Sequence, residues 1–419
     1  MENPRETACR LLEQIYARRS YANLALDAQL KRQKTPPADA AFCTALVCGV
    51  IERRRTLDYQ LEGLLAKPVE QLPRQTLAAL RMGLYQLFYM DRVPDHAAIH
   101  ESVELVKRRG AGHTAGLVNA VLRRAQGRGL QLPEGESSRA WGVRYACPEW
   151  LCALWRESYG EETARDLLEH SFGPAEMTLR TNTLRLTAEE LRARLGGYAH
   201  PELPESCVLP PGCSPPKFGE GLFHAQDGAA QLCCKALGAR PEETVLDLCA
   251  APGGKSFTCA EMMGDRGKMI ALDLYPQRLK LIEEGALRLG IGCIEARQGD
   301  ATDPRTLSDI GEVDRVLCDV PCSGLGILRK KPDIREKMRS ELDKLPKIQY
   351  AILDGGARHV RPGGFLVYAT CTLNPAENEQ VRERFAQEHT EFALLEERTC
   401  MPHIDQTDGF YFATFKRSG

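Results

Sequence analysis

Long apolar runs are missing from this chain of 419 residues. Nowhere do about eighteen apolar residues follow one another, which excludes a membrane-spanning helix. The N-terminal stretch Met1-Glu-Asn-Pro-Arg-Glu has no apolar signal core either, so the expected location is the cytoplasm, with no membrane partner. Metal-ligand spacing is lacking too. The sixteen cysteines include no CxxC pair, Cys233 and Cys234 are chain neighbours, and the nine histidines do not cluster near cysteines at zinc spacing, so no metal is expected. Most of these thiols read as small buried hydrophobes. There is no internal repeat and no low-complexity tract. With 43% hydrophobic and 27% charged residues, a chain of this length is expected to form two or three globular domains.

A large net charge of one sign is also absent, the formal value being −2, but the distribution is uneven. Residues 1–130 carry 20 Lys and Arg against 13 Asp and Glu, an excess of seven positive charges, which leaves an excess of nine negative charges to the remainder. A basic N-terminal third suits a polyanionic partner. The same third reads as helical over residues 1–128. Ala8, Leu11, Leu12 and Ile15 recur at helical spacing, as do Leu77, Leu80, Leu84 and Leu87, then Ile99, Val103 and Val106, then Leu117, Val121 and Leu122. Pro36-Pro37 and Pro94 punctuate the bundle. Basic clusters at Arg53–Arg55, Lys107–Arg109 and Arg123-Arg124 are candidate phosphate contacts, or else solvated faces.

A polar, glycine-containing linker is expected from Gly127 to about Ser138. Residues 140–235 read as a small α/β module: a helix with Trp150, Leu151, Leu154 and Trp155, a strand at Met177-Thr-Leu-Arg-Thr-Asn182, and a helix from Thr187 with Glu189 and Glu190 in its first turn, where the helix dipole favours acids. From 236 to 419 short apolar runs alternate with amphipathic helices. Strands are expected at Thr244–Leu248, Lys268–Asp273, Arg315–Asp319 and Gly364–Ala369, and helices at Pro276–Leu289 and Ile348–His359. This alternation predicts a doubly wound parallel sheet, so that the fold class is multidomain, α plus α/β.

Such a sheet binds ligands at the carboxyl ends of its strands. The first end here is Asp247-Leu-Cys-Ala-Ala-Pro-Gly-Gly-Lys-Ser256, in which Gly253-Gly254 permits a sharp turn close to a ligand. A Walker phosphate loop would need glycine at Cys249, and the dinucleotide fingerprint G-x-G-x-x-G is absent. What remains is a glycine turn followed 19 residues after Gly254 by Asp273, where an acid can accept hydrogen bonds from ribose hydroxyls. Asp300 stands at the next strand end, where an exocyclic amine could be met. A nucleoside-bearing cofactor without a pyrophosphate fits this pattern.

Two cysteines follow later strands, Cys322 in Asp319-Val-Pro-Cys-Ser-Gly and Cys371 in Ala369-Thr-Cys-Thr. Carbon 5 of a pyrimidine is a poor nucleophile. A thiolate added at carbon 6 converts the ring to an enamine whose carbon 5 can attack an electrophilic methyl group. Release of the thiolate requires a base for the carbon-5 proton. Cys371, Cys322 and Asp319 supply the nucleophile, helper and acid that this reaction asks for, whereas Cys318 and Cys249 read as packing.

The runs Asp247–Ser256, Asp319-Val-Pro-Cys-Ser-Gly and Tyr368-Ala-Thr-Cys-Thr-Leu-Asn-Pro-Ala-Glu-Asn closely resemble the RNA cytosine-5 methyltransferases of the Nol1/Nop2/Sun type, with lesser matches at Gln226-Asp-Gly-Ala-Ala-Gln and Asp408-Gly-Phe-Tyr. Residues 1–128 resemble a NusB-type RNA-binding domain. Together with Leu179-Arg-Thr-Asn182, that arrangement is similar to the bacterial members acting on small-subunit (16S) ribosomal RNA. The resemblance implies a Rossmann-like class I methyltransferase domain with S-adenosyl-L-methionine as cofactor and RNA as partner. It implies Cys371 as nucleophile and Cys322 in product release, with cofactor contacts from Cys249, Ala250, Ala251, Pro252, Gly253, Gly254, Lys255, Asp273, Asp300 and Asp319. Departures are small: Ser256 where the family often has Thr, and Val320 where Ala is common. Arg329, Lys330 and Lys331 could clamp phosphates. Because the target base must leave its stack, single-stranded or loop RNA is the expected substrate. Transfer RNA or DNA under the same chemistry, and a non-catalytic RNA-binding assembly factor, are the rival readings. Retention of Cys322, Cys371, Asp319 and the glycine loop weighs against the last.

Overall fold

The computed structural model describes residues 3–18, 22–33, 35–211, 213 and 218–419, which form two compact units. The first comprises residues 1–173 together with Leu328–Lys337. Its helices are α1 (Pro4–Arg18), α2 (Ala22–Gln33), α3 (Pro37–Glu52), α4 (Arg54–Glu62), α5 (Arg74–Tyr89), α6 (Asp95–Arg108), α7 (Ala115–Arg128), α8 (Ser138–Arg144), α9 (Glu149–Tyr159) and α10 (Glu161–His170). Prolines start several of them: Pro37 occupies the first turn of α3, and Pro73, Pro94 and Pro148 precede α5, α6 and α9. At these positions the fixed φ of proline, or of the residue before the turn, costs no helical hydrogen bond. The expected apolar faces are largely inside. Ala8, Leu11, Leu12, Ile15, Leu80, Leu84, Ile99, Val106, Val121 and Leu122 are buried, and Leu77, Leu87 and Val103 pack partly against them. Leu117 departs from the pattern and is exposed.

The basic clusters of this unit differ: Arg53–Arg55 is partly buried, whereas Lys107 and Arg108 stay exposed in surface ion pairs. The Arg53 guanidinium lies 3.4 Å from the Phe172 ring centroid and 4.8 Å from that of Tyr89, and burial lowers its pKa. Arg54 pairs with Glu336, Lys107 with Glu104, Arg108 with Glu101 and Arg109 with Glu13. Two of the three expected phosphate contacts are thus ion pairs within the unit. Arg123 and Arg124 remain exposed, Arg124 reaching the carbonyl of Leu64 at 3.4 Å.

Helices α8 to α10, the first part of the expected module of residues 140–235, group with this unit. Their tryptophans explain the assignment, since Trp141 and Trp155 are fully buried, and Thr56 of α4 donates to the Val143 carbonyl at 2.6 Å. The segment Leu328–Lys337 is held there by Arg335. Its guanidinium is completely buried and donates to the carbonyls of Tyr145 (3.0 Å) and Ser171 (2.7 Å), to Ser171 Oγ (2.7 Å) and to Cys147 Sγ (2.8 Å).

The second unit, residues 174–327 and 338–419, has two sheets. In chain order its elements are β1 (Met177–Thr181), α11 (Ala188–Leu195), β2 (Tyr198–His200), β3 (Leu203–Leu209), β4 (Phe223–Ala225), α12 (Gly228–Leu237), β5 (Thr244–Asp247), α13 (Gly254–Met262), β6 (Lys268–Asp273), α14 (Pro276–Leu289), β7 (Ile294–Gln298), β8 (Val313–Asp319), α15 (Leu345–Ala357), β9 (Val360–Thr370), α16 (Glu379–Glu388), β10 (Phe392–Cys400), α17 (Pro402–Asp405) and β11 (Phe410–Arg417). A small antiparallel sheet runs β2-β3-β1-β4, and α11 beside it is opened by a capping box of Thr187 and Glu190. The large sheet runs β10-β11-β9-β8-β5-β6-β7. The five strands from β9 to β7 form the expected parallel sheet, and β11, for which no strand was expected, pairs antiparallel with both β9 and β10. Strand direction is set by the connections, which a local apolar pattern such as Phe410–Phe415 does not encode.

Helix α12 crosses the expected domain boundary at 235/236. Its Leu232, Cys233 and Leu237 pack with Val245, Leu317 and Val367 of the large sheet, so the break cannot fall inside it. The small sheet is tied to α13 by a buried ion pair, Arg180 Nε to Glu261 Oε2 at 3.3 Å. Burial pushes the Glu261 carboxyl up to about 8 and the neighbouring His224 imidazole down to about 3.

Substituting Arg335 by Met, which fills the same space without donors, strands two buried carbonyls. This variant is expected to destabilise the first unit by on the order of 3 kcal/mol, read as a lower denaturation midpoint of the full chain. An unchanged midpoint would refute the anchoring role.

Candidate active site and its family

Strand β5 delivers the glycine turn. Asp247 closes the strand, Ala250 N–H donates to the Leu272 carbonyl of β6 at 2.8 Å, and Gly253 N–H closes back on Ala250 O at 2.7 Å. Gly253 has φ +109°, and a Cβ there would lie 2.3 Å from the Phe257 ring, so both backbone and space require glycine. The turn ends at the N-terminus of α13, whose first amides face outward from the sheet end. Next along the sheet, Asp273 ends β6, nearly buried. Its carboxylate accepts from Ala251 N at 3.3 Å and Tyr275 N at 3.1 Å, and pairs with Arg278 at 3.1 Å. Asp300 follows β7, two residues past its end, and accepts from the Thr302 amide (2.9 Å) and hydroxyl (2.6 Å).

Asp319 ends β8, and Lys255 Nζ donates to it at 2.6 Å. Burial alone would depress the Lys255 ammonium, but the adjacent Asp319 outweighs burial and holds its pKa above the usual lysine value. Asp319 lies opposite Ala369 in the β8–β9 ladder, so the loops that leave the two strands start side by side. Those loops carry Cys322 and Cys371, and the two sulfurs stand 2.9 Å apart. Cys318 and Cys249 do not join them. Cys318 is fully buried and Cys249 packs against the same core, and burial raises both thiols. The Cys322 thiol is also raised well above its usual value, first by the hydrogen bond with Cys371, then by burial and by the charges of Cys371, Glu377 and Asp319.

The lesser sequence match at Asp408-Gly409 supports the same site. Gly409 N–H donates to Gly326 O at 2.9 Å and Gly326 N–H to Cys371 O at 3.2 Å, and a Cβ on Gly326 would meet Gly409 O at 1.8 Å. Main chain on main chain, the C-terminal strand thus closes the cysteine loops. Gln226, in the other lesser match, accepts from Thr258 of α13 at 2.6 Å. Lys330 and Lys331 are exposed and lie in the segment that belongs to the first unit. Among the described residues, no cluster of His, Cys, Asp and Glu has metal-site geometry. Nor is any helix there long and apolar enough to cross a membrane.

Comparison with known proteins agrees with this geometry. The sequence model described as 16S rRNA methyltransferase RsmB/F matches residues 234–416. The NusB family model matches residues 2–127, and that of the RsmF/B-like ferredoxin-like domain matches 147–202. The chain is 36% identical to the probable ribosomal RNA small subunit methyltransferase B of Synechocystis sp., covering 100% of both chains. It is 35% identical to the protein of the same description from Bacillus subtilis, covering 99% of each. Among solved structures, a methyltransferase homolog protein from Pyrococcus horikoshii aligns with a TM-score of 0.60 at 25% identity, over 68% of this chain and 100% of that one. The chain belongs to the RsmB/F family of 16S rRNA methyltransferases.

For an RsmB/F methyltransferase the cofactor is S-adenosyl-L-methionine, and the residues at the strand ends fit it. The glycine turn allows close backbone approach, and acceptor-only carboxylates at Asp273, Asp300 and Asp319 suit ribose hydroxyls, an exocyclic amine and an ammonium. Sequence reasoning passed over three buried polar groups of this RsmB/F chain. Lys255 was assigned to the cofactor, with its pairing to Asp319 unseen. Glu377 lies within a matching run, and a Glu between Asn374-Pro-Ala and Asn378 in a strand-end loop is itself a signal. Asp247 was treated as the start of the glycine turn.

Asp247 is 1% exposed and accepts from Ser256 Oγ at 2.7 Å; burial lifts its carboxyl to about 7. The native state therefore keeps a proton that the unfolded chain releases near pH 4, and stability falls as pH rises between about 4 and about 7. Asp247→Asn, which cannot ionise, is expected to flatten that part of the curve in urea midpoints measured across the window. Parallel curves for both proteins would show that the carboxyl is not held protonated.

Proposed function

We propose that this chain transfers a methyl group to carbon 5 of a cytosine in 16S ribosomal RNA, with Cys371 as covalent nucleophile and Cys322 as the residue that assists release. The observation that carries the reading is the 2.9 Å approach of the two sulfurs at the ends of adjacent strands, with Asp319 beside them. When bound, S-adenosyl-L-methionine supplies an electrophilic methyl group. Cys371 bonds to carbon 6 of the base and makes carbon 5 nucleophilic. Asp319 offers a carboxylate to the amino edge of the ring, an arrangement that favours cytosine over uracil, whose oxygen at position 4 would meet it with like polarity.

The paired sulfurs couple the two steps. In the free enzyme the two sulfurs are in hydrogen-bond contact, with either able to donate, and that contact is the first cause of the raised Cys322 pKa. Bonding of Cys371 to carbon removes the hydrogen bond between the sulfurs, the largest cause of the raised Cys322 pKa. Cys322, once its thiol proton has passed to solvent, takes the carbon-5 proton; the C5–H electrons form the carbon 5–carbon 6 double bond and Cys371 leaves carbon 6 as the thiolate. The RNA partner is consistent with the NusB-type helical unit, and ribosomal RNA as substrate places the reaction in the cytoplasm.

Cys371→Ala and Cys371→Ser are expected to abolish methyl transfer while cofactor affinity, followed by calorimetry, stays within about twofold. Cys322→Ala is expected to accumulate a protein–RNA adduct visible on denaturing gels; normal turnover in that variant would remove Cys322 from the mechanism. Labelled-methyl transfer to small-subunit ribosomal RNA against transfer RNA tests the substrate, and preference for transfer RNA would overturn the assignment to 16S.

A further inference from the structure

Behind the two cysteines lies a carboxylate that the mechanism above does not use. Glu377 is completely buried. Its Oε1 accepts from Ser323 Oγ at 2.5 Å and Asn374 Nδ2 at 2.8 Å, and its Oε2 from the Ser323 amide at 2.8 Å and Gln349 Nε2 at 2.9 Å. A carboxylate is the one side chain that accepts on both atoms and donates on neither, so four converging donors specify it. Burying this charge against neutral donors is costly, and an unstrained fold could fill the space with an apolar side chain at less expense. The donors show what is gained. Ser323 follows Cys322, and its hydroxyl also stands 2.7 Å from that of Thr372, which follows Cys371. Gln349 Nε2 additionally donates to the carbonyl of Pro321, which precedes Cys322, at 3.0 Å.

We propose that Glu377 is a positioning residue for methyl transfer, whose carboxylate laces the Cys322 loop to the Cys371 loop and fixes the spacing of the two sulfurs. The proposal rests on the reading of Cys371 and Cys322 given above. Glu377 touches neither sulfur and acts through Ser323 and Asn374. The joint action of the cysteines needs their contact held to a fraction of an ångström, and a displacement of about 1 Å at a reacting group lowers rates about 100-fold.

The test is Glu377→Gln, nearly identical in shape, which keeps one acceptor and turns a donor toward two donors. Turnover is expected to fall about 100-fold, with cofactor and RNA affinities within about twofold of wild type. Adduct formation with RNA carrying 5-fluorocytosine, in which carbon 5 has no proton to lose, is expected to slow in parallel. The double variant E377Q/N374D returns an acceptor opposite the new amide and is expected to recover about tenfold, a rescue that a loss of packing would not show. Cys371→Ala is assayed alongside. If that variant is active, the nucleophile assignment and this inference both fall. If it is inactive while Glu377→Gln turns over within about threefold of wild type, or if the double variant recovers nothing, only the inference falls. Should Glu377→Gln fail to fold, Ser323→Ala decides: about tenfold slower turnover is expected, and unchanged turnover would overturn the proposal.

Discussion

The parallel pairing of β8 with β9 is the constraint on which the site depends. The ladder sets Cys318 opposite Tyr368 and Asp319 opposite Ala369, so each strand reaches the sheet edge at the same level. Two loops leaving at that level bring residues 49 apart in sequence to within 2.9 Å. A slip of one residue would turn every side chain of β9 to the opposite face and separate the sulfurs. Slippage is opposed from the other side by β11, paired with β9 from Lys416↔Phe365 to Tyr411↔Thr370, and by the glycine contact between residues 326 and 409.

Around this frame four acids are held differently, Asp247, Glu261 and Glu377 buried and Asp319 partly exposed. Asp247 is kept neutral by burial, with Ser256 satisfying one oxygen. Glu261 is paired with Arg180, tying the small sheet to α13. Asp319 is held against Lys255 at the mouth of the site, where a charge is useful. Glu377 is satisfied by neutral donors alone. The four cases follow one rule: a buried carboxyl is protonated, paired or fully hydrogen-bonded. The fully hydrogen-bonded acid, Glu377, is the one whose donors come from both cysteine loops.

The helical unit shows a different use of charge. An excess of basic residues there suggests a phosphate-binding face, yet Arg53 is stacked between aromatic rings, Arg335 is buried among carbonyls, and Lys107, Arg108 and Arg109 have acidic partners. Arg123 and Lys330 are among the basic side chains that remain exposed.

What the sequence determined by itself was local. The apolar strands at Thr244, Lys268 and Arg315, the helix Pro276–Leu289, the capped helix after Thr187, the glycine turn and the two strand-end cysteines were all legible, because each rests on spacing within about a dozen residues. Tertiary structure alone decided the order and direction of strands, which put β11 antiparallel in an otherwise parallel half-sheet, and the assignment of α8 to α10 and Leu328–Lys337 to the helical unit. It alone decided that Ser323 and Gln349 converge on Glu377, partners 54 and 28 residues away, and that Arg335 is buried among carbonyls. Hydrogen-bond partners distant in sequence are chosen by backbone register and packing, and no local pattern of residues carries that choice.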